Sequence, residues 1–68
     1  MDWIPLRSSA IRRVAYDANT RQMYIDFENS DPHYSFCGVP ESVYRGLISA
    51  SSAGRYYNDH IKDRYDSF

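Results

Sequence analysis

The run VPESVYRGLISASSAGRYYNDHIKDRY, from Val39 to Tyr65, decides the fold, because its apolar residues recur at helical spacing. Val43, Tyr44, Leu47, Ile48 and Ser51 follow i, i+1, i+4, i+5 and i+8, while Ser42, Arg45 and Ser49 lie off that stripe. Pro40 suits the first helical turn, and Glu41 adds charge favoured by the positive end of the helix dipole. Gly46 inside the stripe costs up to about 1 kcal/mol, which close packing on a sheet would explain. Gly54 is the natural helix stop. Beyond it, Tyr57, Ile61 and Tyr65 at i, i+4 and i+8 make a second stripe, with Asn58, Asp59, Lys62 and Asp63 opposite. The run therefore predicts two amphipathic helices joined at Gly54.

Upstream the period changes from 3.6 to 2. Arg21 to Glu28 alternates cleanly, with Met23, Ile25 and Phe27 on one face and Gln22, Tyr24, Asp26 and Glu28 on the other. Ile11 to Asp17 is β-branched and aromatic, with Val14 and Tyr16 sharing a face; Ile11 falls out of phase. Either Ile11 packs near the N-terminal segment, or a bulge before Val14 shifts the register by one. Asp17-Ala18-Asn19-Thr20 and Asn29-Ser30-Asp31-Pro32 carry turn chemistry, and His33 to Cys37 reads as a third strand with Tyr34 and Phe36 facing one way. The expected class is α+β: a three-stranded antiparallel meander followed by two helices packed on one face, β-β-β-α-α.

At 68 residues the chain is expected to be a single small domain, with its core over about 8–66 and residues 1–8 as an N-terminal tail. Trp3 and Ile4 make that tail either a segment that packs or a disordered leader. Aromatics at 16%, seven of them Tyr, let a few large rings do the work of many small side chains in a small core. A net charge of -1 gives no whole-molecule field toward nucleic acid or an anionic membrane, so such binding needs a local patch. Cys37 is the one cysteine, which excludes an internal disulfide and points to a reducing, cytoplasmic setting. The N-terminal residues lack a basic region and a long apolar run, so neither a signal peptide nor a membrane span is expected.

The segment Ser52-Ala53-Gly54-Arg55-Tyr56-Tyr57-Asn58-Asp59-His60-Ile61-Lys62-Asp63-Arg64-Tyr65 resembles the closing signature of the KTSC domain. Ser9 with Ile11, Val14-Ala15-Tyr16-Asp17, Met23 to Phe27, and Gly38-Val39-Pro40 before Val43-Tyr44 extend the resemblance over about residues 8–65. That family takes its name from the C-terminus of some lysyl-tRNA synthetases and also occurs as short bacterial and phage proteins; this chain is similar to the stand-alone form. The family's Tyr-x-Tyr stands here as Tyr34-Ser35-Phe36, without the second hydroxyl, and its Asn-Gly turn as Asn29-Ser30. Through the synthetase attachment, the resemblance implies RNA as a ligand.

Among candidate sites, Tyr34 and Phe36 are expected to be core residues facing Met23, Ile25 and Phe27, although exposed rings on a sheet also stack bases. The open face is expected to present Arg13, Tyr24, Asp26, His33 and Ser35. On the second helix Arg55 and Lys62, seven apart, fall on nearly one face, with Asp59 and Asp63 interleaved. The expected RNA- or partner-binding residues are Arg12, Arg13, Tyr24, Arg55 and Lys62. His33 and Cys37, four apart on a strand, lie about 13 Å from each other, too far to share a metal ion. No catalytic constellation, metal site or Gly-rich phosphate loop stands in the sequence, so no enzyme activity, cofactor or metal is expected. The expected partner is RNA, the alternative being another protein, with no membrane association and a monomeric or weakly homo-oligomeric state.

Overall fold

A computed structural model describes residues 2–29 and 33–67. The order of elements is β1 (Ile4–Pro5), β2 (Ile11–Asp17), β3 (Gln22–Phe27), β4 (Tyr34–Phe36), α1 (Glu41–Ser49) and α2 (Ala53–His60). The α+β class expected from the periods holds, with one strand more than the three-stranded meander. The sheet is antiparallel in the order β1-β2-β3-β4, because Ile4 and Pro5 pair with Val14 and Arg13. Part of the N-terminal tail is thus sheet rather than leader.

The out-of-phase Ile11 is explained by a bulge. Ile11 lies opposite Phe27 and Arg13 opposite Asp26, so Arg12 is the extra residue of β2. This places Ile11, Val14 and Tyr16 on one face with Met23, Ile25 and Phe27, and Ile11, Val14, Met23 and Ile25 are fully buried. Asp17 makes the first turn as its chemistry predicts, its Oδ1 accepting from the Asn19 N–H at 3.0 Å. The second turn, Asn29-Ser30-Asp31-Pro32, falls largely outside the described residues.

Both helices cover the Ile11/Ile25 face of the sheet. Leu47 of α1, Ala53 of α2, and Val39 and Ile61 at their margins complete the core. The expected junction at Gly54 is corrected. α1 ends at Ser49, whose hydroxyl donates to the Arg45 carbonyl at 2.7 Å, and α2 begins after Ser52, whose side chain accepts from the Arg55 N–H. A serine cap outweighs a glycine stop here. Gly54 sits in the first turn of α2, where an added Cβ would lie 3.1 Å from that of Ala10. Pro40 occupies the N-cap of α1. Gly46 meets Tyr56 of α2, not the sheet. The second helix also stops earlier than its stripe suggests: Asp63 takes a left-handed φ of 63°, so Tyr65 packs on the core from beyond the helix.

Candidate functional site

Two surfaces carry chemistry-bearing side chains. The first is the sheet face turned away from the helices, where period two places Arg13, Tyr24, Asp26 and Ser35 as expected. That face has a roof. By the β1 register Trp3 comes opposite Ala15, and its ring lies 6.5 Å from Tyr24 and 5.3 Å from His33, which themselves meet at 5.7 Å. The three rings meet at steep angles, the arrangement their quadrupoles favour. The Arg13 guanidinium stands 4.6 Å from the centre of the Trp3 ring while its Nε donates to Asp26 Oδ2 at 3.1 Å. Beneath them Ala15, Asp26 and Ser35 are buried. Arg12, at the bulge, is exposed and pairs with Glu28 at 3.4 Å.

The second surface is a groove of about 390 Å³ on the helical side, lined by Ala10, Phe27, Asn29, Tyr34, Tyr57 and Lys62. Phe27 is its hinge, with Tyr34 at 5.4 Å and Tyr57 at 5.0 Å, each edge to face. Burial, with help from the Asp63 charge and Tyr34, pushes the Tyr57 phenol above its ordinary value.

The aromatic pair Tyr34/Phe36 separates. Phe36, opposite Met23, is core, but Tyr34, opposite Ile25, is 48% exposed and corrects the expectation that both are buried. Tyr34 opens β4 at the rim of the sheet, leaning on Phe27 while its other side meets solvent.

The five expected binding residues do not form one surface. Arg12, Arg13 and Tyr24 belong to the outer face. Arg55 lies on α2, paired with Asp59 at 3.8 Å, beside a separate depression with Ser52, Tyr56 and His60. Lys62 lines the aromatic groove. Their seven-residue spacing would bring them together only on a continuous helix, and α2 ends at His60. Trp3 is the residue the sequence undervalues. Its large ring just before Pro5 was the available signal, but nothing local says which face it covers. His33 meets Trp3 edge to face, His60 lies 4.4 Å from Tyr56, and the Cys37 thiol contacts the Asp66 carbonyl at 3.6 Å. Among the described residues no three His, Cys, Asp or Glu side chains form a metal-ligating group.

Fold and surfaces together define a small meander-and-two-helix module with aromatic patches on both sides of its sheet. The chain belongs to the KTSC domain family, whose model matches residues 7–65. The crystal structure of a KTSC domain protein from Yersinia pestis superimposes with a TM-score of 0.93 at 31% identity, covering 98% of this chain and 93% of that one. An uncharacterized protein of Stutzerimonas stutzeri is 31% identical over 65 residues, covering 96% of this chain and 90% of its own length. A lysine–tRNA ligase of Nostoc punctiforme is 32% identical over 57 residues, which is 84% of this chain and 10% of the ligase. The matched family description names a domain and no catalytic activity. No helix among the described residues is long and apolar enough to cross a membrane.

Proposed function

We propose that this KTSC chain is a non-catalytic module that binds single-stranded RNA weakly through its outer sheet face. The observation that carries the reading is the cluster of Trp3, Tyr24 and His33 with the Arg13 guanidinium over the indole. Rings on a sheet offer stacking partners to unpaired bases, each worth roughly 1–3 kcal/mol, and a cation beside them meets the phosphate. The related segment within a lysine–tRNA ligase supports the choice of RNA.

A labelled tRNA and a short unpaired RNA, titrated at about 50 and 200 mM salt, test it. With two or three phosphates neutralised, affinity for the single strand should fall about 7- to 18-fold over that range. Absence of binding at the lower salt overturns the reading. One observation favours a second reading, docking of another protein: Arg12, Arg13, Arg45 and Arg55 all pair with carboxylates, which blunts attraction to phosphate. Such a complex would show a shallow salt dependence and no competition by RNA.

A further inference from the structure

The geometry points to a seat for one nucleotide in the groove between Phe27, Tyr34 and Tyr57, with Lys62 taking its phosphate; this rests on the RNA reading above. Three features of the groove match a base carrying an anion. Phe27 and Tyr57 meet edge to face at 74°, as do Phe27 and Tyr34, and the half-exposed Tyr34 leaves ring surface open to a planar partner. The volume of about 390 Å³ falls within the roughly 300–1,000 Å³ that small-molecule sites occupy.

The polar groups on the rim are complementary to the same ligand. Asn29 is exposed and carries both a donor and an acceptor, as the edge of a base requires; an apolar peptide side chain has no such edge. Lys62 is exposed, and among the described residues no carboxylate comes within ion-pair distance of it, in contrast to the four paired arginines. Asp63 is the nearby carboxylate, and its charge acts on the Tyr57 phenol. A single ammonium lining an open aromatic groove favours one phosphate and tracks no long backbone. The groove opens on the helical side of Tyr34, while His33, the preceding residue, joins the outer-face cluster. One strand passing the start of β4 can reach both.

The full chain, labelled for NMR, is titrated with uridine and adenosine 5′-monophosphate, with inorganic phosphate and an N-acetyl-tyrosine amide as comparison probes. Short single-stranded RNA is measured against wild type, Tyr34→Ala, Tyr34→Phe, Lys62→Ala and Trp3→Ala. Tyr34 and Lys62 are exposed, so these variants keep the fold, which the same spectra verify. The nucleotides should shift the signals of Phe27, Tyr34, Tyr57 and Lys62. Tyr34→Ala should weaken RNA binding about five-fold or more, Tyr34→Phe should retain it, and Lys62→Ala should flatten the salt dependence. RNA affinity unchanged in Tyr34→Ala and Lys62→Ala but lost in Trp3→Ala overturns the nucleotide seat and leaves the RNA reading standing. Binding of the tyrosine amide in preference to the nucleotides also overturns the seat, in favour of a peptide. No RNA binding by any form removes both.

Discussion

An added methyl group at Gly46 would fall on the hydroxyl end of Tyr56, with the ring's Cε2 only 2.9 Å away. The glycine is therefore set by a contact between the two helices. Alanine there would gain up to about 1 kcal/mol in helix propensity, against roughly 1–3 kcal/mol for forcing a packed ring aside. Tyr56 is a side chain and can swing, so the cost falls at the low end. We predict that Gly46→Ala leaves stability nearly unchanged, the two contributions cancelling, and that the same substitution in a Tyr56→Ala background raises it by about 1 kcal/mol. Urea midpoints of the four proteins in this cycle measure both values. Equal effects in the two backgrounds would show that the ring is not what keeps position 46 bare.

At the scale of elements, β1 is too short to hold itself on the sheet by pairing alone, since two residues contribute little ladder. What fastens it is Trp3, locked by Tyr24, His33 and the Arg13–Asp26 pair. Trp3→Ala should cost about 2 kcal/mol, below the roughly 3–5 kcal/mol of a fully buried Trp, because this ring is only half-buried. Hydrogen exchange should quicken at Leu6, whose N–H donates to the Arg12 carbonyl, and leave α1 unchanged. Slow exchange at Leu6 in the variant would mean that the strand holds without its anchor. The same reasoning explains what could be read in advance. β3 announces itself because one of its faces is wholly apolar, and Arg13 and Tyr24 follow onto the outer face by parity. The sequence leaves two explanations for Ile11, and only the pairing of Ile11 with Phe27 and of Arg13 with Asp26 selects the bulge at Arg12. β1 has no period to detect, since its cause is a tertiary contact with residues some twenty or thirty positions away. The groove has no local signal for a like reason: Phe27, Tyr34, Tyr57 and Lys62 meet only when the sheet rim and the end of α2 come together, and the helical spacing that would place Lys62 beside Arg55 ends two residues before it. Gly54 draws the expected boundary away from Ser52 because a glycine stop and a serine cap lie two residues apart, and Gly54 does not adopt the left-handed φ that a stop requires.

For the molecule as a whole, the response to alkali follows from where the phenols sit. Burial raises the pKa of Tyr16, Tyr44 and Tyr57 above the ordinary value near 10; at Tyr16 Arg21 opposes the shift, while Glu41 and Asp17 add to it. A raised folded-state pKa means that the native chain holds these protons more tightly than the unfolded chain. Below about pH 10 both states keep them, and the phenols contribute no pH dependence. As pH rises through 10 the unfolded state releases protons first, so stability falls until the native phenols ionise as well. Tyr16 couples this to packing, because its hydroxyl donates to the Val39 carbonyl at 2.6 Å and its ring stacks on Tyr44 at 4.9 Å. A phenolate cannot donate that bond. We therefore predict a urea midpoint that these three phenols leave unchanged below about pH 9 and that falls as pH rises through about 10. In Tyr16→Phe the midpoint should start lower by about 1 kcal/mol of stability, the worth of the lost hydrogen bond, and decline less steeply in alkali. An alkaline slope identical to that of the wild type would mean that Tyr16 takes no part in the transition and that the loss arises at Tyr44 and Tyr57.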